Sequence, residues 1–232
     1  MKKEEYAVIF DMDGVIFDTE RLLIECWIPV AEAHGVEDIE GTLKNCIGLK
    51  EPAAERVFRN RYGEDFPLAE YQEEVRAIFR KRVEEEGLPE KAGAREILAD
   101  LAEKNVPMAL ASSTRAEVVT RELANAGLLP YFRVVIGGDQ IRAGKPAPDI
   151  FLAAAARLGM EVDACFVIED SFNGIRAAAA AGMTPLMVPD QLQPDEEIRA
   201  LAHEVFDDLK EVQKYLHARL VHSIMDREDA YE

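Results

Sequence analysis

A chain of 232 residues, 48% of them hydrophobic, can bury one substantial core, or one core carrying a smaller inserted domain, without help from disulfides or a structural metal. Its 27 Lys and Arg against 45 Asp and Glu leave a net charge of −18, which repels nucleic acid and anionic membranes and argues against either as a partner. Cys26, Cys46 and Cys165 show no paired spacing, no apolar run nears the roughly 20 residues that span a bilayer, and Met1-Lys2-Lys3-Glu4-Glu5 leads into a strand instead of a signal-peptide apolar segment, so a cytoplasmic protein is expected.

Tyr6 to Phe10 is a short continuous apolar run that ends in a polar cluster, the pattern of a strand buried on both sides. Nearly 100 residues pass before the next such run, far more than one crossover helix uses. From about Thr19 to Glu86 the pattern is helical, with candidate helices over Arg21 to His34, Glu51 to Arg61 and Leu68 to Glu86 and breaks near Gly35, Gly48 and Gly63. This predicts a small all-helical domain, residues 18–88, inserted into a core made of residues 1–17 and 89–232, with Gly87-Leu88-Pro89 as an exit hinge. Further strands are predicted over Pro107 to Ala111, Arg133 to Ile136, Cys165 to Ile168, Thr184 to Val188 and Glu204 to Phe206. Helices are predicted over about 94 to 104, 115 to 126, 148 to 158, 172 to 181 and 195 to 201. Alternation of this kind argues for an α/β fold, a parallel sheet with helices on both faces. From about Leu216 the sequence turns polar and acidic, and no function is assigned to it.

Asp11-Met12-Asp13-Gly14 follows the first strand at its carboxyl end, where open α/β sheets bind ligands. Two carboxylates two residues apart beyond a strand reach one site, one as a nucleophile that forms an acyl phosphate and one as acid and base. Gly14 permits a sharp turn that brings backbone amides toward an anion. A solvated turn or a helix cap accounts for these residues equally well when they are taken alone. At the end of the second strand stand Ser112, Ser113 and Thr114, of which Ser112 is the best phosphate ligand; Ser113 and Thr114 are read as N-caps of the next helix or as further phosphate ligands. Lys145, in a loop held by Pro146 and Pro148, is placed to neutralise the nucleophile and the transferring phosphoryl group, unless it is a plain surface lysine. Glu169 and Asp170 end the fourth strand, and with Asp11 and Asp13 they are the candidate ligands of Mg²⁺, which takes oxygen donors and keeps several waters. Asp170 is the first choice.

Taken together, these residues resemble the haloacid dehalogenase superfamily, whose four motifs match as Asp11-x-Asp13-Gly14, Ser112, Lys145 and Glu169-Asp170 within Glu169-Asp170-Ser171-x-x-Gly174-Ile175. The likeness spans roughly residues 6 to 190 and is nearest to the β-phosphoglucomutase-like branch. It implies a Rossmann-like doubly wound core, a helical cap between the first motif and the second, Mg²⁺, and an aspartyl-phosphate intermediate. In that branch the mutases carry a His four residues after the Thr of Asp-Thr, and here that position is Leu23. Their cap Arg is replaced by Lys50, with Arg56 further on, so these two are the candidate substrate readers; Tyr71 and Arg80 are weighed beside them against solvated or packing roles. The expected activity is therefore a phosphatase for a small phosphorylated metabolite such as a sugar phosphate, in a monomer or weak homodimer. A phosphosugar mutase is the competing enzyme, and a phospho-accepting signalling module the competing class.

Overall fold

The computed structural model describes residues 6–47, 49 and 51–228. Met1–Glu5, Gly48, Lys50 and residues 229–232 lie outside it, and with them the candidate reader Lys50, the break at Gly48, the acidic start and the last residues of the acidic tail. Strand β1 (Ala7–Phe10) is buried along its whole length. Its side chains alternate: Val8 and Phe10 enter one hydrophobic cluster, Ala7 and Ile9 another on the opposite face.

On the first face Val8 and Phe10 meet Met108 and Leu110 of β2 (Met108–Ser112) beneath helices α5 (Ala94–Glu103), α6 (Ala116–Asn125) and α10 (Leu209–Glu228). The second face is built from smaller residues. Ala7, Ala109 and Ala111 lie under Ala154 and Ala155 of α7 (Asp149–Leu158) and Ala177 and Ala178 of α8 (Phe172–Ala180), so these helices can approach the sheet closely. With β3 (Val134–Gly137), β4 (Cys165–Glu169), β5 (Thr184–Met187) and β6 (Glu204–Val205), the described strands form one sheet in the order β3-β2-β1-β4-β5-β6. Every neighbouring pair is parallel. The order reverses at β1, between β2 and β4, and the crevice at the carboxyl end of β1 is where such sheets bind ligands.

Among the described residues the insertion after β1 holds four helices, α1 (Thr19–Ala33), α2 (Ile39–Lys44), α3 (Glu51–Tyr62) and α4 (Leu68–Glu86). The sequence predicts three of them. The additional helix, α2, has six residues and contains Gly41, too short a run for periodicity to reveal. These helices bury a cluster of their own, with Trp27 of α1 against Phe58 of α3, ring centroids 5.5 Å apart, and Val75 of α4 beside them. Entry and exit of the insertion run side by side. Asp18 N donates to Pro89 O and Lys91 N to Ile16 O, each at 2.8 Å, and Phe17 and Glu90 form an antiparallel bridge between them.

One expectation changes at the C-terminal end. The segment expected as a polar tail from about Leu216 is the second half of α10, whose Leu209, Val212 and Leu216, at spacings of three and four, bury against the sheet. The Glu196–Leu201 helix, α9, precedes β6 as the pattern implies. Among the described residues no helix is long and apolar enough to cross a membrane.

Candidate active site

The loop leaving β1 is closed on itself by Ile16 N and Phe17 N donating to Met12 O and by Gly14 N donating to Phe17 O at 2.8 Å. Gly14 sits at φ +80°, and a Cβ there would stand 2.3 Å from Asp170 Oδ2. Glycine is therefore required both by the backbone and by the carboxylate that lies against it. Because the Gly14 amide is used within the loop, its contribution to an anion site is conformational. The Met12 and Asp13 amides donate to no protein acceptor among the described residues.

Asp11 is 7% exposed, anchored by its N–H to Ile168 O. Its Oδ1 accepts from Lys145 Nζ at 2.5 Å, and the same ammonium donates to Glu169 Oε1 at 2.5 Å and reaches Ala111 O at 3.4 Å. Phe151 lies beneath, its ring centroid 5.0 Å from Nζ. Lys145 is thus a buried cation shared by two carboxylates, not a surface lysine. Burial alone would lower its pKa, but the charges of Asp11 and Glu169 raise it above the ordinary lysine value, so the ammonium stays charged.

Glu169 is 1% exposed and fully engaged: Oε1 on Lys145, Oε2 on Ser171 N at 2.8 Å and Ser171 Oγ at 2.9 Å. Ser171 in turn N-caps α8 by accepting from Gly174 N at 3.0 Å. A Cβ on Gly174 would fall 1.7 Å from Glu169 Oε1, so the helix start can approach this carboxylate only as glycine. With both oxygens taken by protein donors, Glu169 acts on the position of Lys145.

Asp13 has a different environment. Thr114 Oγ1 donates to its Oδ2 at 3.3 Å. Burial raises its pKa, and the hydroxyls of Thr19, Thr114 and Ser112 hold that rise down. Ser112 is fully buried and accepts from Thr114 N at 3.1 Å, while its hydroxyl proton serves Asp13. Ser113 is exposed. Neither Ser113 nor Thr114 caps α6: the cap residue is Arg115, and Ala116 N is satisfied by Asp139 Oδ1 at 2.8 Å from the loop after β3. The capping alternative is thereby corrected, because a carboxylate from across the strand end does that work and Thr114 turns to Asp13.

Fully ionised, Asp11, Asp13, Glu169 and Asp170 would set four negative charges against the single positive charge of Lys145 within one buried crevice. The strain shows in their titration. Burial, with Glu169 and Asp13 adding to it against Lys145, pushes Asp11 up to about 7. Burial, with Glu169 and Asp11, pushes Asp170 well above the carboxylate range. A hard divalent cation would relieve this surplus, and the donor set suits Mg²⁺, for which one or two carboxylates and a main-chain oxygen suffice. As they stand, no three His, Cys, Asp or Glu side chains among the described residues close on a common point at ligand distance.

Beside Asp170 a cleft of about 440 Å³ opens between the insertion and the core. Its walls include Glu20 of α1, Ile47 and Leu49 of the α2–α3 loop, Arg176 of α8, and Asp190 and Gln191 after β5. None of these was picked out by motif. Of the expected readers, Arg56 is exposed on α3 away from the cleft lining, Arg80 pairs with Glu73 at 3.3 Å on the surface, and Tyr71 stacks on His34 within the insertion.

A family model described as haloacid dehalogenase-like hydrolase matches residues 8–188. The chain is 36% identical over 177 residues to a phosphorylated carbohydrates phosphatase of Thermotoga maritima, covering 76% of this chain and 82% of that one. It is 33% identical over 186 residues to a fructose-1-phosphate phosphatase of Escherichia coli, covering 78% and 95%. Among solved structures, a HAD family hydrolase of Deinococcus radiodurans with bound phosphate and sodium superposes with a TM-score of 0.78 at 27% identity over 92% of this chain and 96% of the other.

Proposed function

We propose that this chain, which belongs to the haloacid dehalogenase-like hydrolase family, is a phosphatase that hydrolyses a small phosphorylated carbohydrate through an aspartyl phosphate on Asp11. One observation carries the mechanism: of two carboxylates on a single loop, Asp11 is in contact with a buried ammonium while Asp13 is held by hydroxyls. Paired carboxylates in unlike surroundings divide into a nucleophile and an acid.

Lys145 occupies Asp11 Oδ1, which leaves Oδ2 to attack phosphorus in line. As the bond from phosphorus to the ester oxygen breaks, Asp13 gives its proton to the departing alkoxide. Asp13 then takes a proton from water, the hydroxide oxygen bonds to phosphorus, and the bond to Asp11 breaks to release phosphate and the original carboxylate. Ser112, the Met12 and Asp13 amides, Lys145 and the nearby Ser113 bear the phosphoryl oxygens, with Gly14 shaping the loop. Asp11, Asp170 and the Asp13 main chain would hold Mg²⁺, which supplies charge neutralisation at the phosphoryl group. Glu169 keeps Lys145 in place.

Residues 1–17 and 89–232 are the catalytic core and residues 18–88 a cap that closes over the cleft and excludes water from the first half-reaction. A mutase is not favoured: Leu23, where the resemblance calls for histidine, packs against the insertion's apolar cluster and offers no proton carrier. The inserted helices speak equally against a bare phospho-accepting module. Three free cysteines fit a cytoplasmic setting. The test is a panel of sugar and polyol phosphates with Mg²⁺, reading free phosphate. Release that stops on chelation is expected, and Asp170→Ala should raise the Mg²⁺ concentration required. No release from any ester, or release indifferent to chelation, would overturn the reading.

A further inference from the structure

The cleft beside Asp170 has an apolar side, where Ile47 and Leu49 of the insertion oppose Phe172 and Leu192 of the core, and a polar side whose charge is unbalanced. Among the described residues Arg176 is the one cation lining it, and Glu197 already holds that guanidinium through two bonds of 2.7 and 2.8 Å. The remaining charged residues of the wall, Glu20, Asp170 and Asp190, are all acidic. A metal at Asp170 would answer the charge of that residue and Lys91 answers that of Asp190, which leaves Glu20 without a cation.

Asp190 is the more telling of the two. Its side chain is 7% exposed; Oδ1 accepts from Lys91 Nζ at 2.7 Å and Gln191 Nε2 at 3.3 Å, whereas Oδ2 is shut off from solvent with no hydrogen-bond partner. A buried acceptor without a donor is costly, and an arriving hydroxyl would supply what it lacks. Glu20 is desolvated in the same wall, with Asp190 and Asp13 near enough to add to the rise in its pKa.

We infer that Glu20 and Asp190 form a charge filter for the leaving group, accepting hydrogen bonds from the hydroxyls of a neutral polyol or sugar and repelling a second anionic group. This rests on the phosphatase reading above and narrows its substrate class. With Asp190 paired to Lys91, the surplus negative charge is that of Glu20, and in a partly desolvated cleft it acts on a carboxylate or second phosphate a few ångströms away, which corresponds to discrimination of about tenfold. Selectivity here comes from the repelled competitor as much as from the accepted substrate.

Sorbitol 6-phosphate and 6-phosphogluconate test this, since they share chain length and phosphate ester and differ at the far end, a CH₂OH in one and a carboxylate in the other. The wild type should show a kcat/KM at least about tenfold higher for sorbitol 6-phosphate. Glu20→Gln and Asp190→Asn, made separately, should each narrow that ratio several-fold, chiefly by improving 6-phosphogluconate. The same two esters are titrated against Asp11→Asn protein with and without each substitution, where the ratio of dissociation constants should narrow likewise. Ratios unchanged in both variants, or wild-type preference for 6-phosphogluconate, overturn the filter. If neither ester releases phosphate, the activity assigned above fails on its own, and the binding ratios still decide the filter.

Discussion

At the carboxyl edge of the sheet, Lys145 and Glu169 meet at 2.5 Å with side chains 7% and 1% exposed; on α3 of the insertion, Arg59 and Glu55 meet at 2.6 Å with side chains 44% and 45% exposed. The contacts have nearly the same length and opposite consequences. In the crevice, water no longer screens the charges, so each carboxylate must be answered by a named donor, and the positions of Asp11, Glu169 and Lys145 are coupled. On the insertion, water does most of the answering, and ion pairs such as Arg76 with Glu73 or Arg80 with Glu73 can exchange partners at little cost. Chemistry is fixed where charge is buried, and the surface that covers it is free to vary.

The largest effect expected from breaking this contrast is chemical. Asp11→Asn removes the proposed nucleophile while keeping its shape, and phosphate release should fall by roughly 10⁴-fold or more with the melting temperature retained or raised. Undiminished turnover by that variant would sink the mechanism. Lys145→Ala should cost both activity, about 10²-fold or more, and stability, about 3 kcal/mol, because it strands two buried carboxylates. Denaturant titrations should find the stability loss greater at pH 8 than at pH 5, where those carboxylates take up protons.

The pH dependence of the metal-free protein is a sharper probe. The folded Asp11 pKa is pushed up to about 7, above the ordinary value of 3.8, so folding favours the protonated form. Its contribution to stability is complete below the unfolded pKa and is lost as pH rises through the folded one. Melting temperature measured in chelator should therefore decline between about pH 4 and 7, and Asp170→Asn, by removing a neighbouring charge, should flatten the decline. A flat profile in the wild type would contradict the buried surplus of charge. The smallest effect belongs to the cap: Arg59→Ala should leave the melting curve within its reproducibility, and a clear loss of stability would show that the exposed pairs matter more than their setting allows.

Much of this molecule can be read along the chain, for reasons that differ by region. The strands of the core are buried on both faces and announce themselves as apolar runs, and the strand ends bring Asp11, Lys145 and Glu169 into contact because a parallel sheet aligns its carboxyl ends. The division of labour among the hydroxyls is less legible. Thr114 looks like a helix cap until the fold brings Asp139, from the turn after β3, to Ala116 N, a pairing of residues 23 apart that local sequence does not express. Glu20, Arg176 and Asp190 are hidden for a stronger reason, since the first comes from the insertion and the other two from the core, and they share a wall only across the cleft. α10 was accessible, because Leu209, Val212 and Leu216 keep helical spacing within a polar stretch.

The side-by-side linkers at Phe17 and Glu90 bear on how such a chain can be rebuilt. Because the insertion leaves and re-enters the core at two segments bonded to each other, Asp18 N to Pro89 O and Lys91 N to Ile16 O, the sheet feels only that junction and not the length or content of what lies beyond it. Insertions at closely spaced surface ends are the ones domains tolerate. The junction works as a socket: a short turn, or a helical bundle from another protein, could be spliced across it with the core's register intact, and only the half of the cleft wall that Glu20, Ile47 and Leu49 supply would change with it.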